Sequence, residues 1–323
     1  MGSMHRLGLL LAAVCIAMAP HNGSAQDFPT REIRAICPFG PGTGADIVVR
    51  YFAQKLSELS GKTVITENRA GAQGLVATEA VAKAKPDGYT IAITPASSTL
   101  AAAAHLYKKL PFDPMKDFEP VATISTLSFA LVTDPKRNFK TVADLTKFLK
   151  EKNGDRFYAS SANTGTVAAE LYKKAIGLDI KRVNYKSGPD AINDMLNGHI
   201  DFWFTDASFA VGQVANGKLT ALAVTGPKRS GALPDVPTMI EAGLPVELTA
   251  WWALLLPAGT PKPIVDKYAA WIAQISSTQE TKEFLAKFAN DPLPGDAALL
   301  RKMLAQDIER WGEYVKIADI EVQ

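Results

Sequence analysis

Three short stretches combine glycine, serine, threonine and asparagine in a way that suits holding an anion with uncharged donors. The first is Pro38-Phe39-Gly40-Pro41-Gly42-Thr43-Gly44-Ala45-Asp46. Its glycines let the backbone approach a ligand closely. It also opens a helix-patterned segment, whose first N–H groups have no acceptor within the helix and attract negative charge. Thr43 adds a hydroxyl donor. A tight strand-to-helix turn without a ligand is the plainer reading. The stretch lacks the Lys-Ser/Thr ending of a phosphate loop and the glycine order of a dinucleotide fingerprint. The second stretch is Ser160-Ser161-Ala162-Asn163-Thr164-Gly165-Thr166. One of its side chains is expected to cap the next helix and the others to stay free. The third is Thr94-Pro95-Ala96-Ser97-Ser98-Thr99. Three hydroxyl-rich strand ends facing one crevice would coordinate a carboxylate with neutral donors. Asp206, after Phe202-Trp203-Phe204-Thr205, either accepts from a ligand hydroxyl or amine or caps the following helix. Trp203, Phe209, Trp251 and Trp252 belong either to a cleft wall or, more in keeping with strand aromatics, to the core.

Catalytic constellations are missing from the sequence. No Gly-x-Ser-x-Gly elbow occurs, and no His-Glu-x-x-His or Cys/His cluster. His5 and His21 fall in the leader described below, leaving His105 in an alanine-rich helix and His199 in a turn. Cys37 precedes the glycine loop and reads as a buried strand thiol rather than a nucleophile. The expectation is a binding protein with no catalytic residue, metal or cofactor. The rival is an exported small-ester hydrolase whose turnover would depend on Ser161 or Asp206.

The elements that must position these stretches follow from periodicity. Residues 32–37 read as a strand, and 45–60 as a helix with Ile47, Val48, Phe52, Leu56 and Leu59 at three- and four-residue steps, stopped by Gly61. A strand at 63–66, a helix at 75–85 and a strand at 89–94 complete a β-α-β-α-β unit, which implies a parallel sheet. The pattern restarts with strands at 157–160, 180–185, 200–204 and 221–225 and helices at 165–176, 189–197 and 209–216. Apolar extended segments at 121–133 and 248–257 flank this second unit. Helices at 263–275, 278–288 and 297–315 follow. The economical arrangement is a discontinuous first lobe (26–124 and 249–323), a second lobe (125–248) and two crossovers forming a hinge. The glycine- and proline-rich piece 226–237 reads as a surface loop. Ligands in such folds sit at the carboxyl ends of the strands, between the lobes.

The amino terminus bears on location. His5 and Arg6 precede an apolar run of about a dozen residues that ends at Pro20, and Gly23-Ser24-Ala25 suits signal-peptidase cleavage. The run is shorter than the about 20 residues a bilayer span needs. Val14 argues against lipidation of Cys15. A signal peptide at 1–25 and an exported mature chain from Gln26 are expected. Lys and Arg number 35 against 33 Asp and Glu, so no bulk positive field steers nucleic acid, and any anion must be held by local geometry.

Several motifs together resemble a known family. They are the glycine loop at 38–46, Glu67-Asn68-Arg69-Ala70-Gly71-Ala72, Lys85-Pro86-Asp87-Gly88-Tyr89-Thr90, Leu110-Pro111-Phe112-Asp113-Pro114 and Asp117-Phe118-Glu119-Pro120-Val121. Val183-Asn184-Tyr185-Lys186, Leu233-Pro234-Asp235-Val236-Pro237-Thr238 and Pro257-Ala258-Gly259-Thr260-Pro261 continue the series. In this order they are similar to the Bug-type (Bordetella uptake gene) solute receptors of tripartite tricarboxylate transporters. The resemblance implies an α/β, two-lobed periplasmic binding protein (Venus flytrap, type II) that closes on a small carboxylate; helix-start loops in both lobes leave a mono- or dicarboxylate open, and aromatic residues near the hinge leave an aromatic acid open. It implies delivery to integral-membrane transporter subunits, with presentation to a receptor kinase as the alternative, and a monomer. Carried to matching positions, it implicates Phe39, Gly42, Thr43, Gly44, Asp46, Ser97, Ser160, Asn163, Thr166 and Asp206, partly through ordered waters. Three positions depart from the family pattern: Thr43 and Ser187 stand where glycine is usual, and Thr205-Asp206-Ala207-Ser208 replaces a common Asp-Asn pair.

Overall fold

The computed structural model describes residues 28–151, 156–185 and 188–322. The expected leader and Ser187 lie outside the described residues. The first α/β unit runs β1 (Ile33–Cys37), α1 (Gly44–Ser60), β2 (Val64–Asn68), α2 (Leu75–Ala82) and β3 (Thr90–Pro95), followed by a wide-turn helical segment Ser97–Ala102 and α3 (Ala103–Leu106). A long strand β4 (Phe118–Thr133) leads through α4 (Val142–Glu151) into the second unit. That unit contains β5 (Phe157–Ser160), α5 (Asn163–Ile176), β6 (Lys181–Asn184), α6 (Gly188–Leu196), β7 (Phe202–Asp206), α7 (Ala207–Ala215) and β8 (Thr220–Val224). The chain returns on β9 (Thr249–Pro257) and ends with α8 (Lys262–Ser277), α9 (Gln279–Lys287), β10 (Asn290–Gly295) and α10 (Ala297–Ile317).

Of the α1 stripe predicted from spacing, Val48, Phe52 and Leu56 are buried and Ile47 and Leu59 half-buried; Val49 and Ala53 complete the covered face. Gly61 ends the helix at φ 66°, returning its N–H to the Ser57 carbonyl at 3.1 Å. In each half the strands that carry the anion loops lie side by side. β2, β1 and β3 are parallel, and so are β7, β5 and β6.

β4 joins the halves. From Phe118 to Ser128 it pairs antiparallel with β9, and from Phe129 onward its partners are β7 and β8. β9 in turn pairs with β3. β4 therefore runs from one half into the other, and β9, which brings the chain back, lies antiparallel beside its first part. One apolar cluster continues across the junction, from Leu100 and Trp311 to Leu131, Tyr172 and Phe204.

Sequence periodicity passes over two elements. α4 carries a reciprocal cap, with Asp144 N–H on the Thr141 hydroxyl at 3.1 Å and Thr141 N–H on the Asp144 carboxylate at 2.9 Å. β10 contains Pro292 and Pro294 and pairs only with β4, the edge position that prolines tolerate.

Candidate functional site

A cavity of about 230 Å³ lies where the two halves meet. Its polar wall is the start of three helices: Thr43 and Gly44 of the α1 junction, Asn163 and Thr164 of α5, and Asp206 and Ser208 at α7. The carboxyl ends of β1, β5 and β7 place all three there.

The glycine loop is held open by its own side chains. Thr43 caps α1: its Oγ1 accepts from Asp46 N at 3.2 Å and donates to the Gly40 carbonyl at 2.8 Å. Its hydroxyl proton is thus spent within the loop, and Thr43 reaches the cavity as a wall. Gly42 has φ 78°, a conformation that suits glycine, and its N–H donates to Asp46 Oδ2 at 2.9 Å. Arg50 Nε donates to the same oxygen at 2.9 Å, and Asn68 Nδ2 donates to Asp46 Oδ1 and to the Phe39 carbonyl, both at 2.8 Å. Burial alone would raise the Asp46 carboxyl, but these donors hold it below the ordinary range. Asp46 is therefore a strut behind the loop. Helix geometry leaves the N–H groups of Gly44 and Ala45 without an intrahelical acceptor, and both residues line the cavity.

The α5 start corrects one expectation. A serine, threonine or asparagine was expected to cap this helix; the cap position is Ala162, which supplies no side-chain acceptor. Thr166 turns back to the Ala162 carbonyl at 3.1 Å and Ser160 bonds Thr166 at 2.5 Å, so both stand behind the wall. The first-turn N–H groups of α5 consequently face the cavity uncapped, which makes this helix start the stronger anion attractor. Gly165 permits this approach: a Cβ there would lie 2.3 Å from the Phe204 carbonyl oxygen of β7.

Asp206 caps α7, accepting from Ser208 N at 2.8 Å, Phe209 N at 3.3 Å and the Ser208 hydroxyl. Among the described residues these bonds all fall on Oδ1. Burial pushes the carboxyl up, and the three donors only partly offset that. At the third loop, Ser97 accepts from Trp251 N at 3.3 Å and lies behind the wall; Ser98 is the hydroxyl that lines the cavity.

Of the ten positions singled out, Phe39, Thr43, Gly44, Asn163 and Asp206 line the cavity, and Gly42, Asp46, Ser97, Ser160 and Thr166 support it from behind. Lining residues not singled out include Ser98, Ser161, Gln73 and Ser208. Ser98 and Ser161 were quoted within the loops. Gln73 has φ 54°, and sequence gives no cue to that. Of the four aromatic candidates only Trp252 reaches the cavity; Trp203 and Trp251 are core. The Trp252 indole N–H is buried without a hydrogen-bond partner. His105 bonds the Ile308 carbonyl at 2.7 Å and His199 lies beside Asp194 at 3.5 Å, both away from the cavity. Cys37 is buried in β1.

Residues 48–320 match the family model described as the tripartite tricarboxylate transporter family receptor. The chain belongs to that family. It is 30% identical over 313 residues to BugT of Bordetella pertussis, covering 96% of this chain and 95% of BugT. Among solved structures it is similar to Rpa4515 of R. palustris with adipate, at TM-score 0.82 and 30% identity, covering 91% of this chain and 99% of that one. MatC of Rhodopseudomonas palustris with bound malate matches at TM-score 0.77 and 27% identity over 89% of this chain and 100% of that one. The periplasmic binding protein BugD matches at TM-score 0.79 and 28% identity over 92% and 100%. The two halves joined by β4 and β9 are thus the lobes of the two-lobed periplasmic binding protein fold. Among the described residues, no helix is long and apolar enough to cross a membrane and no acidic, histidine or cysteine group is arranged to hold a metal.

Proposed function

We propose that this chain is the periplasmic substrate-binding protein of a tripartite tricarboxylate transporter, exported by the leader at 1–25, acting as a monomer and performing no chemistry on its ligand. It captures a small carboxylate between lobe 1 (26–124 and 249–323) and lobe 2 (125–248) and hands it to the membrane subunits. The observation that carries this reading is the uncapped α5 start sharing one cavity with the α1 start, one from each lobe. A carboxylate bridging them gains contacts only when the lobes are together, so binding favours the closed form. β4 exchanges β9 for β7 at Ser128–Phe129, a few residues past the proposed 124/125 boundary, which supports a hinge near there. Adipate and malate in related structures support the ligand class.

A thermal-shift panel of carboxylates, amino acids without acidic side chains and sugars tests the reading. At a hundred times its Kd a ligand stabilises the folded chain by about 2.7 kcal/mol, a readily measured shift. Carboxylates are expected to stabilise. Sugars or neutral compounds stabilising while every carboxylate fails would overturn it.

A further inference from the structure

We propose that the acid taken by this cavity is a monocarboxylate with an apolar tail, alkyl or aryl, rather than a di- or tricarboxylate. The inference rests on the carboxylate-capture reading and deepens it. It is carried by the chemistry of the apolar part of the cavity lining. That part includes Ala102 and Leu106 of the helical stretch after β3, Leu127 and Phe129 of β4, and Trp311 of α10, with Phe129 paired across the sheet with Asp206. All five are buried. Ala250 of β9 continues the same surface. Polar residues stand among them: Ser98, whose hydroxyl donates to the Pro95 carbonyl at 3.0 Å, and Asn290, which faces Leu127 across the β10–β4 pairing. The Asn290 amide already donates to the Phe288 carbonyl at 2.7 Å, and its oxygen accepts from Ser125 at 3.4 Å.

Among the described residues that line the cavity, Asp206 is the single charged side chain, and no lysine, arginine or histidine is present. The first carboxylate meets the N–H groups of two helix starts. A second one would have to leave water for a largely alkyl and aromatic lining that offers no cation. A buried unpaired charge is among the costliest arrangements in a protein. An alkyl or aryl tail in the same place gains from each carbon it removes from water. The volume of about 230 Å³ exceeds the about 150 Å³ that accommodates benzene in an apolar protein cavity, leaving space for a ring plus the carboxylate.

Calorimetric titration of the wild-type chain with matched pairs tests this. Butanoate through octanoate are set against succinate through suberate, and benzoate against terephthalate. Within each pair the acids differ by one terminal carboxylate. The expected result is that the tightest monocarboxylate binds at least about tenfold better than its matched diacid. Affinity along the alkyl series should rise roughly fourfold per methylene until the cavity is full. Leu106→Ala should move the preferred chain length upward. Diacids binding tighter than their matched monoacids would overturn this inference and leave the carboxylate reading standing. An alkyl series without a rise, or a preferred length unmoved in a folded Leu106→Ala chain, would overturn the placement of the tail. No binding by either series would overturn both readings.

Discussion

Gly44→Ala probes closure at one atom. Gly44 opens α1 at a φ open to any residue, and a methyl group built there meets only Ser208 Oγ, at 3.1 Å, across the cavity. Ordinary contact begins at 3.4 Å, so the two lobes are too close by 3.4 − 3.1 = 0.3 Å for that methyl. The Ser208 hydroxyl can move aside only by loosening its bond to the Asp206 carboxylate. A hydrogen bond to a charged group contributes about 1.5–3 kcal/mol, and partial loosening puts the penalty near 1 kcal/mol. It falls on the closed state alone. Carboxylate affinity should therefore drop about fivefold. Stability without ligand should hold or rise slightly, because alanine suits a helix better than glycine. Ser208→Ala removes the one clashing atom, so in that background the methyl should cost almost nothing. Calorimetry on the wild type, both single variants and the double variant gives the coupling energy directly, expected near 1 kcal/mol. An equal loss with and without the Ser208 hydroxyl would refute the reasoning, as would a large loss of stability in the ligand-free Gly44→Ala chain.

Three further outcomes follow from the site. Asp206→Asn preserves the α7 cap, since asparagine caps as well as aspartate, and removes a carboxyl that burial raises. The folded chain binds that proton at a higher pH than the unfolded chain, so acidification through the raised folded value relieves the cost of ionisation and wild-type stability rises. The variant should lose this share of the gain, read as a pH-dependent difference in Tm; a difference that stays constant with pH would contradict it. Asp46→Ala should weaken carboxylate binding although Asp46 does not line the cavity, because the Gly42 N–H, Asn68 and Arg50 lose their common acceptor. Unchanged titration of that variant would show that loop order is irrelevant. Gly165→Ala forces a Cβ against a backbone oxygen that cannot swing away. A cost of about 1–3 kcal/mol is expected in denaturant unfolding, accompanied by weaker binding as α5 shifts from β7. Wild-type stability in that variant would contradict the packing described.

The strand-to-helix junctions were legible because glycine and small polar residues mark them and the flanking periodicity is clean. α1 and the two crossover strands followed directly. The facing of individual side chains was not legible. Thr43 and Thr166 carry the right hydroxyls, yet each finds a backbone carbonyl of its own turn, Gly40 and Ala162, within hydrogen-bond reach. Local acceptors of this kind compete with any ligand and are not encoded in residue type. Ala162 occupies the cap position although better capping residues surround it, so composition alone pointed to a capped helix start. The apolar part of the lining was hidden for a different reason. Leu106, Phe129, Ala250 and Trp311 meet only after the chain has crossed between the lobes and returned, so no spacing in the sequence joins them. Within Thr205-Asp206-Ala207-Ser208, Asp206 and Ser208 both line the cavity and Ser208 faces Gly44.

Capture of a carboxylate between the starts of α1 and α5 is tested most directly by the crystal structure of the chain with its tightest acid bound. Carboxylate oxygens are expected within about 3 Å of N–H groups from both helix starts, among them Gly44, Ala45, Asn163 and Thr164, directly or through one water. A carboxylate held elsewhere, or an apolar tail lying against those N–H groups, would contradict it.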